Sequence, residues 1–277
     1  MIIIGLDIGG STTKSVLLEE GKIKHAVQVS ASEPIVSAAG AVGKLLEESG
    51  VRISEVSRLA CTGGGARVVG EELLGMRITK VGEIEAIGIG GLELSGLDKA
   101  VVVSVGTGTA VVAAWREGAE VFTRHLGGTG VGGGTLVGLA KLLLGRSHVK
   151  AILSLSMEGD PSRVDLTVGD IVGGPIGRIP ASATASNFGK VGEKPREQDV
   201  AAGLVNMVGQ VIATVAYFAA RAEGLEKRIV FTGILPTMRG FSDVLLETVE
   251  MFGGKALVPQ MAAFATAIGA AIKASTL

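Results

Sequence analysis

The chain has 277 residues, 47% of them hydrophobic and 19% charged, with a formal net charge of −1. That balance excludes a disordered segment and leaves room for two domains with cores of their own, and a near-neutral charge without a Lys/Arg stripe excludes a nucleic-acid surface. Its one cysteine, Cys61, excludes an internal disulfide, a multi-cysteine zinc site and a self-contained iron–sulfur cluster.

The predicted elements begin with an apolar strand, Ile2-Ile3-Ile4-Gly5-Leu6-Asp7-Ile8. A turn, Gly9-Gly10-Ser11-Thr12-Thr13-Lys14, leads to a β-branched run that reads as a second strand, and Glu20-Gly21 turns into a third. Pro34 opens a helical pattern through Ile35, Val42, Leu45 and Leu46 that stops at Gly50. Arg58 to Thr62 reads as strand, Gly63-Gly64-Gly65 as the turn into a helix from about Ala66 to Leu74, and Arg77 to Val81 as strand. Glu83 begins a small-residue helix expected to run out near Gly90-Gly91. The second half starts at Lys99 with Val101-Val102-Val103-Ser104-Val105, a turn Gly106-Thr107-Gly108-Thr109, another strand and Glu117-Gly118. After a Gly-rich segment come helices at about Leu136 to Leu144 and His148 to Glu158, then a loop-rich stretch from Gly159 to Arg196. A long helix from Asp199 to Ala222, a strand from Arg228 to Thr232, a helix from Phe241 to Phe252, a strand from Lys255 to Val258 and a helix from Ala262 to Ala274 close the chain. The longest uncharged stretch, Gly203 to Ala220, is interrupted by Asn206, Gln210 and Thr214, which argues against a membrane span. With no basic leader, the expectation is a cytoplasmic protein.

The first hairpin recurs 97 residues later, turn for turn. Two similar halves, 1–97 and 98–277, each offering a phosphate-sized loop to a shared cleft, describe a phosphotransferase. The loop chemistry agrees: Gly9 and Gly10 let backbone N–H groups approach an anion, and Ser11, Thr12, Thr13 and Lys14 add hydroxyls and a cation. Neither a Walker A loop nor a dinucleotide loop is present, because both precede a helix and this loop precedes a strand. Alternating strands and helices imply mostly parallel sheets covered on both faces.

Six motifs in order carry a resemblance across nearly the whole chain: Asp7 to Lys14, Cys61 to Ala66, Lys80-Val81-Gly82-Glu83-Ile84-Glu85-Ala86, Val105 to Thr109, Arg124 to Thr135, and Ala185-Ser186-Asn187-Phe188-Gly189. The chain resembles the acetate/sugar kinase, heat-shock ATPase and actin superfamily, and within it the type II pantothenate kinases. The resemblance implies duplicated ribonuclease H-like (actin-like ATPase) domains, α/β in class, with mixed sheets flanked by helices and ATP in the inter-domain cleft. It also implies ATP and Mg²⁺ as cofactors, pantothenate as substrate, a homodimer, and a CoA or acyl-CoA regulator. An activator ATPase of the 2-hydroxyacyl-CoA dehydratase type shares the first loop but needs cluster cysteines that this chain lacks. A non-catalytic CoA or nucleotide sensor is the third reading.

By that resemblance Glu83 is the catalytic base, with Glu85 the nearby competitor; the alternative for Glu83 is a first-turn carboxylate complementing the helix dipole. An acid that often precedes the base is Gly82 here. Arg124, read as ending a strand just before the Gly-rich segment, would take the pantothenate carboxylate with its planar fork, the alternative being a solvated edge-strand charge. Thr129, Gly130 and Asn187 join it as substrate residues. Asp7 would hold Mg²⁺ through water, or else cap the hairpin turn. Gly9, Gly10, Ser11, Thr12, Thr13, Lys14, Gly106, Thr107, Gly108 and Thr109 would grip phosphate. Ser104 replaces the carboxylate many superfamily members carry in the second loop. Gly132, Gly133, Gly134, Thr135 and Leu136, opening a helix, would contact the nucleotide. Gly233 fits the adenosine turn, with Ile234 and Leu235 packing on base or ribose. The helical stripe Leu204, Val208, Val211, Ile212, Val215 and Phe218 serves either core or dimer interface.

Overall fold

A computed structural model describes residues 1–277. β1 (Ile2–Ile8), β2 (Thr12–Glu19) and β3 (Lys22–Ser30) form an antiparallel meander. Glu20 at φ +50° and Gly21 at φ +76° make the two-residue β2–β3 turn with the positive dihedrals that match strand twist. α1 (Pro34–Ser49) starts on Pro34, is capped by Glu33 accepting from the amides of Ile35 and Val36, ends at Gly50 in the left-handed conformation, and buries Ala38, Ala41, Val42 and Leu45. β4 (Val56–Thr62), the short β5 (Glu72–Leu73) and β6 (Met76–Lys80) complete a sheet in the order β3-β2-β1-β4-β6-β5, with β4 parallel to β1 and β6. The helix expected at 66–74 is absent. Only a 3₁₀ turn, Gly64–Arg67, forms, because Val68, Val69 and Gly70 disfavour continuation and Leu74-Gly75 turns into the β5–β6 hairpin at positive φ.

α2 (Glu83–Ser95) leads to β7 (Lys99–Val105), β8 (Thr109–Glu117) and β9 (Glu120–Thr129), the second meander. An insertion follows: α3 (Gly133–Leu144), α4 (Val149–Ser156), β10 (Leu166–Thr167), α5 (Val168–Val172) and β11 (Thr184–Ser186), where β10 and β11 pair outside the main sheet. α6 (Glu197–Ala222), β12 (Ile229–Gly233), α7 (Phe241–Met251), β13 (Ala256–Leu257) and α8 (Ala265–Ser275) finish the chain. The second sheet runs β13-β12-β7-β8-β9, with β12 parallel to β7 and β13. Reversed, it repeats the order of the first five strands of the first sheet, so the duplication inferred from the two turns extends to topology. α6 is long and apolar enough to cross a membrane, yet it is the central helix of the larger core, burying Leu204, Val208 and Ile212.

The two halves exchange their last helices. α2 packs on β7, β8 and β9 of the second sheet, while α8 packs on β1, β2 and β4 of the first, with Ala267, Ile268 and Ala271 against Ile3, Val16 and Ala60. α2 and α8 then cross each other at backbone contact: a Cβ added to Gly90 would stand 1.8 Å from the Ala265 carbonyl oxygen, and one on Gly269 would stand 1.9 Å from that of Ala86. This corrects the expectation that α2 stops near Gly90-Gly91. Those glycines stay helical because they let α8 approach, and α2 ends at Gly96. It also means that the boundary at 97/98, which falls between α2 and β7, separates chain segments whose packing crosses it.

Candidate active site

The first loop springs from the end of β1. Asp7 faces Lys14 across the hairpin, and Lys14 Nζ donates to Asp7 Oδ2 at 3.3 Å, both side chains being largely buried. The second loop springs from the equivalent end of β7, where the Gly106 amide donates to the Gly108 carbonyl at 2.8 Å. The two loops meet. Ser11 Oγ and Thr107 Oγ1 lie 3.3 Å apart, from residues on different sheets, and both residues are exposed. Gly10 is exposed beside them, its hydrogen directed so that a Cβ would come 3.5 Å from the Thr107 hydroxyl.

Glu83 is the first residue of α2, after Gly82, which offers no side-chain cap. It is exposed and makes no ion pair. Partial burial of its carboxyl, and then the Asp7 charge, push its pKa above the usual carboxylate range, with Arg67 pulling the other way. That mutual repulsion places Glu83 within reach of the field of the first loop's carboxylate. Glu85, the competitor, is engaged by Lys273 of α8 at 2.8 Å, which leaves Glu83 as the free carboxylate of the motif.

Several expected ligand residues have structural partners instead. Thr13 is fully buried opposite Ile8, so its hydroxyl does not line the loop as expected. Thr109 Oγ1 donates to the Val131 carbonyl at 2.8 Å, and the amides of Gly133 and Gly134 donate to the carbonyls of Gly106 and Thr107 at 2.9 Å each. The Gly-rich run thus docks α3 directly onto the second loop: a Cβ on Gly132 would lie 2.6 Å from the Thr107 carbonyl oxygen. These glycines bring backbone to backbone, where the sequence suggested backbone to ligand. Thr135 Oγ1 accepts from the Gly132 amide and donates to the Gly130 carbonyl, and Leu136 is buried in the core. Thr129 accepts from the Val131 amide at 3.1 Å, while Gly130 stays exposed. Gly233, at φ +107°, lies against the Val105 carbonyl; Ile234 is half-buried, but Leu235 is buried and not free to pack on a base.

Arg124 does not end its strand. β9 continues to Thr129, and the exposed guanidinium is paired with Glu223 at the end of α6. Asn187 is half-buried and donates to Gln210 Oε1 at 3.4 Å, at the edge of a polar network that sequence reasoning missed. Its hub is Asp165, 1% exposed, which accepts from the Phe188 amide and from Asn206 Nδ2, each at 2.8 Å. The signal was present in Asn206 and Gln210, the polar breaks in an otherwise apolar helix. Cation chemistry rests on few carboxylates: no group of three or more His, Cys, Asp or Glu side chains could hold a metal by itself. Asp7 with phosphate oxygens is a donor set that suits Mg²⁺, which takes one or two carboxylates and keeps several waters. Cys61 is fully buried, its thiol pushed up to about 12 by desolvation, and is no ligand for an iron–sulfur cluster.

A family model described as Fumble matches residues 99–273. The type II pantothenate kinase of Bacillus thuringiensis subsp. konkukian is 31% identical over 242 residues, spanning 83% of this chain and 82% of that protein. The one of Oceanobacillus iheyensis is 29% identical over 278 residues, spanning 96% and 97%. Among solved structures, the activator of the 2-hydroxyisocaproyl-CoA dehydratase from Clostridium difficile with bound ADPNP gives a TM-score of 0.70 at 16% identity, covering 99% of this chain and 94% of that one. A ROK family glucokinase from Streptomyces griseus in complex with glucose and AMPPNP gives 0.60 at 15% identity, both chains being fully covered. At such identities the structural likeness establishes the fold alone, two ribonuclease H-like domains of the actin-like ATPase kind.

Proposed function

The chain belongs to the type II pantothenate kinase family, and we propose that it transfers the γ-phosphoryl group of ATP to the primary hydroxyl of pantothenate, yielding 4′-phosphopantothenate for coenzyme A synthesis. The observation that carries this reading is the meeting of two hairpin loops from two sheets at Ser11 and Thr107, with the unpaired Glu83 close enough to feel the Asp7 charge.

In the mechanism, Gly10, Ser11 and Thr107 hold the phosphates with amides and hydroxyls, and Gly106, without a side chain, lets the second loop come close to them, in a cleft where water is displaced when the domains close. Asp7 would hold Mg²⁺, which neutralises phosphate charge when bound. Glu83 accepts the proton of the acceptor hydroxyl as its oxygen attacks phosphorus in line with the departing ADP oxygen. Its raised pKa suits a base that must hold a proton and later release it. Arg124 supplies a planar cation for the pantothenate carboxylate once Glu223 yields it, which is a charge exchange and not a new burial.

The same reading includes a cytoplasmic homodimer and regulation by CoA or its thioesters. For the dimer, support comes from the α6 face where Phe218, 50% exposed, packs edge-on to Tyr217 at 5.3 Å. The test of the activity is mass spectrometry of reactions offering ATP with pantothenate, pantetheine and simple sugars in parallel. Phosphate transfer to pantothenate is expected; transfer only to sugars, or to nothing, overturns the reading.

A further inference from the structure

The turn joining β4 to β5 packs beside the first loop and has no role in the mechanism above. It is locked in place: a Cβ on Gly63 would stand 2.7 Å from Asp7 Oδ1, and one on Gly65 would stand 2.4 Å from Ile8 Cγ2. The 3₁₀ turn Gly64–Arg67 is therefore pressed against the end of β1 from which the first phosphate loop springs. Ala66 anchors the turn in the first core, and Arg67 follows it on the exposed side without a hydrogen bond or ion pair. Lys14 holds Asp7, Lys273 holds Glu85, and Lys80 pairs with Glu71. At the start of the turn, Thr62 is the parallel-register neighbour of Asp7; its hydroxyl is fully buried and has no partner. The register thus carries the start of the turn to the side of Asp7.

We propose that Arg67 is an anion clamp for the γ-phosphoryl group during transfer, carried on the turn locked against Asp7 and the first loop. The proposal rests on the phosphotransfer reading given above. It assigns Arg67 to the phosphoryl group and not to the pantothenate carboxylate, because that carboxylate lies at the far end of the acceptor from the hydroxyl that Glu83 serves. Arg67 acts at the Glu83 end, where its charge already offsets part of the upward push on the Glu83 carboxyl. In the step, the bond from the γ-phosphorus to the bridging oxygen of ADP breaks with its electron pair. The bond to the acceptor oxygen forms, the hydroxyl proton goes to Glu83, and Arg67 donates N–H groups to the equatorial oxygens without being consumed.

The experiment is calorimetric titration of the parent protein, Arg67→Ala and Arg67→Lys with Mg²⁺ and either ADP or a non-hydrolysable ATP analogue. Because Arg67 is exposed and unpaired, the melting temperatures of the variants should match the parent's. The parent should bind both nucleotides; Arg67→Ala should lose about tenfold or more in affinity for the triphosphate, with ADP unchanged, and Arg67→Lys should recover part of it. Equal losses for both nucleotides, or no loss for either, overturn the clamp. So does a variant whose pantothenate KM rises while triphosphate binding is intact, since the cation then serves the acceptor. A parent that binds neither nucleotide overturns the phosphotransfer reading itself, which keeps the two failures distinct.

Discussion

Replacement of Glu83 by Gln keeps the size and hydrogen-bonding capacity of the side chain and removes the base. The structure makes the variant clean: Glu83 sits at the first position of α2, makes no ion pair, and has Glu85 two residues away already held by Lys273 at 2.8 Å. No partner is orphaned, and Glu85 is not free to take over. Loss of a positioned general base costs about 10²–10⁴ in turnover, or about 3–5 kcal/mol of barrier. Nucleotide affinity should change little. The raised pKa of Glu83 has a stability corollary whose sign is definite. A carboxyl whose folded pKa lies above its unfolded one favours folding below the unfolded pKa and loses that contribution as pH rises through the folded value, so at neutral pH the Gln variant should melt no lower than the parent. For activity, the acid limb of kcat/KM should lie above the ordinary Glu range, since the deprotonated form is the base. Steady-state kinetics across pH, with thermal melts, measures all three. Near-full activity in Glu83→Gln would refute the assignment, as would an acid limb that persists unchanged in the variant.

Arg124→Lys keeps charge and loses the fork, so it should raise the pantothenate KM far more than the ATP KM; equal effects would assign Arg124 to the phosphates. Its exposed pair with Glu223 is worth at most about 1 kcal/mol, so the melting temperature should barely move. Gly10→Ala and Gly106→Ala should fold, because an added Cβ meets nothing closer than 3.5 Å and 3.8 Å, yet both should show a much smaller ATP-dependent thermal shift. An undiminished shift in Gly106→Ala would mean that the second loop does not grip nucleotide. Gly269→Ala, with its Cβ 1.9 Å from a carbonyl oxygen across the α2/α8 crossing, should instead cost about 3 kcal/mol or more and lower the melting temperature by roughly 6–12 °C without ligand. A melt within about 2 °C of the parent would show that the crossing can part.

What the sequence determined by itself is local. The hairpin turn at Glu20-Gly21, the Gly/Thr loops and the start of α1 at Pro34 were legible, because alternation, turn chemistry and helix caps act within a few residues, while the second turn falls at Gly118-Ala119, one residue after the expected Glu117-Gly118. The same logic, applied at a spacing of 97 residues, revealed the duplication. Tertiary structure decided what each glycine is for. Gly90, Gly132 and Gly269 meet carbonyl groups from distant chain segments, and a residue without a side chain gives no sequence cue to whether ligand or backbone fills the space. It decided that α2 and α8 cover each other's sheets, since two small-residue helices have no directional pattern to choose a sheet. It also decided which charges are free. Glu85 and Arg124 look as available as Glu83 and Arg67 in sequence, and only the folded chain brings Lys273 to one and Glu223 to the other.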